Sequence, residues 1–434
     1  MPDPCRSPFA LLALLALCAL AAAPAAAQSD APQAVGPDVT VFNLMDMINY
    51  GASGGIRGYS LGTRSCNRGD APLNWCDQAS GCAPGATTHD HPVIAQNLYR
   101  LKEGRFEQIG MSWLKHGFTS TNSTTAGCAG AGGQSCQAPP YGGNQLGVGC
   151  TDPYVASLNG SRPLGLRSEV DPTDGAYPFP YTAITPTLVY EQRIKVLESD
   201  LEPALNPGAL YWMEGQYIAP DDAVSENGLN NASYRPVTVA AGTFNLTFSG
   251  ATVELLPAID AWPAIDPQVE RTDVDFNSAH TPTERFQVAR RVTQLGPSSW
   301  HYEYAVRNHN SDRAAQAFVV DFPDGTAITN VGFADIDHHS GEPYSTTDWT
   351  IDPIGASSTV RWSCETFATN EDANALRWAT LFNFWFDADA PSAYAEHTLT
   401  LFKPGFPAAL AFAVSLFSDG FESNDTGAWS QTSP

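Results

Sequence analysis

The sequence predicts an all-β protein of two β-sandwich-like domains, the N-terminal one loop-rich and disulfide-bearing. Period-two alternation of apolar and polar residues runs through most of the chain, and no long amphipathic helix appears. Six cysteines also crowd a stretch rich in Gly, Ser, Thr and Asn between positions 66 and 150. With 434 residues the chain is long enough for two or three domains and a sizeable core. Its 43% hydrophobic and 11% aromatic content excludes a wholly disordered protein. With 46 acidic against 22 basic side chains, a net charge of −24 would repel a phosphate backbone, so nucleic acid is not an expected partner.

The elements follow in chain order. Arg6, the apolar run Phe9 to Ala23 and the closing Ala25-Ala26-Ala27 have the layout of a secretory signal peptide over 1–27. Its removal takes one acid (Asp3) and one base (Arg6), so the mature chain from Gln28 keeps the −24. No other stretch is long and apolar enough for a membrane span; Pro407 to Phe417 is too brief. The expected location is therefore extracellular or periplasmic. In that compartment cysteines default to disulfides. Short spacings favour Cys76–Cys82 and Cys128–Cys136, which leaves Cys66 for Cys150, and Cys364 as a buried thiol.

Strand-like runs at 188–197, 209–218, 236–239 and 243–248 place an N-terminal β-rich domain over 28–265. The Pro-containing segment Leu256 to Pro267 is the expected boundary. Beyond it, Phe286, Val288 and Val292 alternate with polar residues, as do Trp300, Tyr302, Tyr304 and Val306 after the turn Gly296-Pro297-Ser298. Further runs at 317–322, 359–362, 376–386 and 397–402 complete a C-terminal β-sandwich over 268–405, followed by a tail, 406–434. The tail contains Asp419-Gly-Phe-Glu-Ser423 and then Trp429-Ser430, and it resembles a short tail of uncharacterised secreted bacterial proteins. Gly104-Arg-Phe-Glu-Gln-Ile-Gly110 also looks like segments of such proteins. The resemblance implies export and no particular activity.

The most informative stretch is His91 to His116. Read as a hairpin turning at Glu103-Gly104, it pairs residues whose numbers sum to 207. Lys102 then faces Arg105, Arg100 faces Glu107, Leu101 faces Phe106, Tyr99 faces Gln108, Leu98 faces Ile109 and Ile94 faces Trp113. The same register sets His91 opposite His116, close enough for two imidazoles to share one metal ion. A single bulge would break that alignment, and the bland alternative is a pair of hydrogen-bonded edge histidines. His89 shares the strand face of His91. A third ligand is expected from Asp335-Ile-Asp-His-His-Ser-Gly-Glu342, with His339 and Asp337 as candidates and Asp335 as an orienting carboxylate. Such a set in an oxidising compartment suits copper ahead of zinc.

Asp221, Asp222, Glu226, Asn227, Asn230 and Asn231 form an acidic, amide-rich loop whose oxygens suit calcium, with Asp221, Asp222 and Asn231 as leading candidates. Asp171 and Asp174-Gly175 form a lesser loop of the same kind, which a solvated Asx turn also explains. Gly51-Ala-Ser53-Gly-Gly55 matches G-x-S-x-G without the strand-to-helix context a nucleophile elbow needs. Aromatic stripes at Trp300, Tyr302 and Tyr304, and at Trp378, Phe382, Phe384 and Phe386, face either a core or a sugar.

The leading expectation is thus a secreted β-protein with a histidine-held copper or zinc site, serving as an extracellular oxidoreductase. In architecture it resembles copper monooxygenases that hydroxylate peptides. A mature start at Gln28 does not suit polysaccharide monooxygenases, whose copper brace uses an N-terminal His. The alternative is a non-catalytic extracellular binding or surface protein for carbohydrate or matrix, stabilised by disulfides and calcium. Substrate, glycan and peptide partners are not specified by the sequence.

Overall fold

Val39–Ser53 and Ile56–Asn67 form a long antiparallel hairpin closed by Gly54-Gly55, two residues with positive φ that fit a tight hairpin turn. Ser53 therefore sits at a hairpin corner, and the G-x-S-x-G match has no helix after it. The computed structural model describes residues 34–77, 81–87, 90–278, 282–352 and 358–414, and from Ala34 onward they cluster as one compact unit. The signal-like segment, His89 and the D-G-F-E-S tail lie outside the described residues.

The hairpin opens an antiparallel sheet of ten strands. Its order continues through Ile194–Leu197, Arg105–Met111, Val93–Lys102, Leu210–Ile218, Ala232–Val239 and Leu246–Phe248. The sheet folds over its own core, because the first strand returns to the last ones: Ser233 Oγ donates to Val41 O at 2.6 Å and Arg235 Nη1 to Leu44 O at 2.6 Å. Val41, Leu61, Leu98, Met213, Tyr217 and Val237 fill the space between. The expected strand at 188–197 begins only at Ile194, because residues before it turn and Gln192 has a φ of 65°.

Two five-stranded antiparallel sheets form the C-terminal sandwich. One runs Val269–Phe276, Glu284–Gly296, Ser299–Asn308, Leu381–Ala388, Ile328–Ala334. The other runs Thr350–Ile351, Thr359–Ser363, Ala315–Asp321, Glu396–Leu401, Ala409–Phe412. Phe286, Tyr302, Tyr304, Phe382, Phe384 and Phe386 point inward from the first sheet and meet Phe318, Val320, Trp362 and Leu399 of the second. The aromatic stripes therefore supply core, since alternate residues of a strand share one face. The apolar run from Leu376 becomes a strand only at Leu381, because the preceding turn has Ala379 at φ 53°.

Three disulfides join Cys66 to Cys128, Cys76 to Cys82 and Cys136 to Cys150. Only the second follows the short-spacing expectation. Thr151 stands directly across the ladder from Cys66, so its neighbour Cys150 projects to the opposite face and takes Cys136 instead. Cys128 then closes on Cys66 across 62 residues. Cys364 is the free thiol, partly buried. Disulfides of this number fit an oxidising, extracellular-type compartment, and no helix among the described residues is long and apolar enough to cross a membrane.

The segment around Leu256 to Pro267 is a wedge between the sheets. It winds through the short turns Ala258–Asp260 and Ala261–Ile265 and buries Trp262 completely. Tyr99, Phe106 and Trp212 of the large sheet pack with Trp262, Val269, Ala289, Ala305 and Leu381 in one apolar cluster. At its centre lies a fully buried ion pair, Arg307 Nη2 to Glu214 Oε1 at 3.1 Å. Glu214 Oε1 also accepts from Asn97 Nδ2 (2.9 Å) and the Tyr99 hydroxyl (3.0 Å), and Oε2 from Ala258 N (2.7 Å). Arg307 donates onward to Gln287 (3.0 Å) and Gln216 (2.8 Å).

Two outcomes follow from this packing. Glu214→Gln leaves the Arg307 charge buried without its carboxylate, and it is expected to destabilise the fold by about 3–5 kcal/mol in urea denaturation. His397, stacked between Phe318 and Phe412, accepts the Tyr304 hydroxyl proton at Nε2 (3.0 Å), and burial lowers its pKa from 6.5 to about 3. Between those two values the unfolded chain binds the proton and the folded chain does not, so the His397 contribution to stability is lost as pH falls through that window. His397→Phe is expected to show a shallower loss of urea midpoint between pH 6.5 and 4.5 than wild type, by at most about 1.4 kcal/mol per pH unit.

Candidate functional site

The hairpin after Glu103-Gly104 keeps the expected register as far as Tyr99 opposite Gln108, with Arg100 and Glu107 paired at 2.7 Å. A bulge then shifts it: Leu98 faces Gly110, not Ile109. Past Met111 the chain leaves the ladder and rejoins at Lys115–His116, where Ile94 faces Lys115, not Trp113, and Val93 faces His116. His91 is therefore a diagonal neighbour of His116 on one face. The imidazoles still meet, with His91 Nε2 and His116 Nδ1 3.0 Å apart.

The protons on this pair follow from the partner of His91 Nδ1. That atom lies 3.0 Å from the carbonyl of Cys76, which only accepts, so Nδ1 carries the proton. Nε2 of the neutral ring then accepts, and His116 Nδ1 donates to it. The lone pair of His116 consequently sits on Nε2, on the other side of its ring, against Gly165, where a Cβ would collide with it. The two lone pairs do not converge. Burial, and then the neighbouring His91, lower the His116 pKa well below 6.5, so the ring is neutral. Tyr181 stacks on His116 with centroids 3.6 Å apart, and Tyr177 meets both rings edge-on while donating its hydroxyl to His91 O. A cavity of about 120 Å³ beside the pair is also lined by Asp77, Arg162 and Phe179.

The other predicted ligands go elsewhere. The strand Ile328–Ala334 ends before Asp335, so Asp337 and His339 do not share a strand face. His339 Nε2 lies 2.9 Å from Arg193 O and 3.1 Å from Tyr190 O, and its ring packs on Trp113. Burial, and then Lys195, push its pKa down to about 4. Among the described residues no three His, Cys, Asp or Glu side chains come together as a metal-holding group.

Asp335 and Asp337 instead line a charged cleft of about 310 Å³ with Arg100, Glu107, Lys195 and Asp200. Burial raises the Asp335 pKa to about 6, opposed by a 2.6 Å hydrogen bond from Asn374. Arg100 is shared between Glu107 and, at 3.1 Å, Asp200. The cleft's main cation is thus already neutralised from two sides.

In the calcium candidates, Asp221 Oδ2 accepts Asn74 N at 2.7 Å. Asp222 is fully buried, with Oδ1 accepting Val39 N (2.8 Å) and Oδ2 accepting Asn231 Nδ2 (2.7 Å). Asp171 and Asp174 cap their own turns at Thr173 N and Ala176 N, as the Asx reading requires.

One open surface feature was not legible in the sequence. An apolar groove of about 680 Å³ runs beside the strands Leu210–Ile218 and Ala232–Val239, with Leu201, Leu210, Val237, Val239, Val253 and Ile265 among its walls. Leu210 and Ile265 are 43% and 53% exposed there. Its walls come from four separated stretches, each of which reads locally as an ordinary strand or turn.

No protein-family model matches the chain, and no curated protein matches its sequence. Among solved structures, the serine-rich repeat adhesion glycoprotein Srr1 from Streptococcus agalactiae is 9% identical over 83% of this chain and 89% of that chain, with a TM-score of 0.19. At that score the two backbones do not superimpose as one fold. Fold and site together define an all-β, disulfide-bonded protein with a buried histidine pair and an open apolar groove.

Proposed function

We propose that the chain is a non-catalytic extracellular binding protein whose partner offers apolar side chains, as a peptide or protein segment does. One observation carries the reading: an apolar groove of about 680 Å³ stands open on an otherwise cross-linked fold. Concave, mostly apolar clefts of this volume are the usual form of a binding site. Trp212, Tyr211 and Tyr234 line it but are each under 8% exposed, so they form floor and wall, and no stacking platform for a sugar ring results. In the sandwich stripes Tyr302, Tyr304, Phe382, Phe384 and Phe386 are fully buried, which turns the alternative away from carbohydrate and toward apolar matrix segments.

A second reading, a copper or zinc oxidoreductase, keeps one supporting observation. Two nitrogens 3.0 Å apart are near the separation of two ligands on one ion. Against it stands the separate placement of His339, Asp335 and Asp337.

Two measurements decide between them. N-phenyl-1-naphthylamine is expected to bind the folded protein with a rise in fluorescence, and Ile265→Asp or Val239→Asp to weaken that binding by about tenfold or more. Absence of binding to wild type overturns the groove reading. Elemental analysis of purified protein beside His116→Ala is expected to find no stoichiometric transition metal; copper or zinc present in wild type and lost in the variant restores the oxidoreductase.

A further inference from the structure

Asp38 and Asp222 lie 184 residues apart in sequence and side by side in the fold. Asp38 immediately precedes the first strand, and Asp222 sits in the short helix Pro220–Val224. Both are buried, at 3% and 0% exposure, and neither forms an ion pair among the described residues. Arg68, whose charge acts on Asp38, is itself paired with Glu254. Two consecutive amides complete the cluster: Asn230 Nδ2 reaches Asp38 Oδ2 at 3.3 Å, and Asn231 Nδ2 reaches Asp222 Oδ2 at 2.7 Å.

What marks this cluster out is its unused oxygen. Asp38 Oδ1, Asn230 Oδ1 and Asn231 Oδ1 are all buried without a hydrogen-bond partner. Such acceptors are costly when left unmatched, and here three belong to one linked group. Half a turn of either amide exchanges its nitrogen and oxygen and leaves the rest of the side chain in place. That turn would set an amide oxygen against a carboxylate oxygen, an arrangement unfavourable alone and favourable around a cation. A cavity of about 10 Å³, enough for a single water-sized sphere, is lined by Asp222, Glu226 and Asn231 but not by Asp38 or Asn230, so it adjoins one half of the cluster. Burial holds both acids above the usual carboxylate range, to about 6 for Asp38, and the Asp38 charge pushes Asp222 further up.

We infer that Asp38, Asp222, Asn230 and Asn231 form a binding site for a hard divalent cation of the calcium type. Two carboxylates and two amide carbonyls are ligands that calcium accepts in irregular geometry, whereas magnesium demands a near-octahedral set. Bound there, the ion ties the start of the first strand to the helix at Asp222 and to the entry of the strand Ala232–Val239. The site is independent of the apolar groove, so its failure leaves the binding reading intact.

The test uses the full chain, stripped by chelator and titrated with calcium chloride by calorimetry and by thermal unfolding. Calcium is expected to raise the unfolding temperature, with a Kd in the ~10⁻⁴–10⁻³ M range of extracellular calcium modules. Asp38→Asn and Asp222→Asn should each weaken calcium binding by about tenfold or more, while melting in chelator no lower than wild type. Asp321→Asn, in the other sheet system, should leave the affinity unchanged. The inference is overturned if calcium leaves wild-type melting unchanged, if binding persists in both carboxylate variants, or if magnesium acts equally well.

Discussion

The buried pair of Glu214 and Arg307 is the constraint on which the rest depends. A carboxylate and a guanidinium taken wholly out of water lose more solvation than their attraction returns unless the remaining donors and acceptors are matched. Here Glu214 is matched by Asn97, Tyr99 and Ala258, and the two terminal nitrogens of Arg307 by Gln216 and Gln287, with only its Nε left over. Those residues come from both sheet systems and from the wedge between them. Satisfying one charge pair therefore fixes the relative placement of the large sheet, the Trp262 wedge and the sandwich.

Much of the fold was legible because β-structure writes itself locally. Tyr302, Tyr304 and Val306 alternate on one strand and all turn out buried, as period two demands. The hairpin register was legible from Lys102–Arg105 to Tyr99–Gln108 and lost beyond it, because a bulge adds a residue to one strand and leaves no trace in hydrophobic pattern. Disulfide partners were half legible. A spacing of six closes a small loop by proximity, whereas Cys66 is kept from Cys150 because the ladder sets Thr151, not Cys150, on its face.

The candidate sites divide along the same line. His91 and His116 were found from sequence because one hairpin brings them together. His339 was assigned to them by chemistry alone, and packing against Trp113 and the carbonyls of Tyr190 and Arg193 holds it elsewhere. Asp222 and Asn231 were visible as a local acidic loop. Asp38 was not, since only the folded sheet carries residue 38 to residue 222. The surplus negative charge of the chain has, at that place, a buried component that solubility does not explain.

The ring closed by Cys66 and Cys128 encloses the Cys76–Cys82 loop, the segment around Gly85 and the whole hairpin from Val93 to Met111. A backbone cut anywhere between those two cysteines leaves both pieces covalently attached. Outside a cell, where proteases are common and no chaperone repairs a nicked chain, such damage would register as an extra terminus on an intact molecule. Loss of a fragment would require two cuts in that ring, or a cut and a reductant.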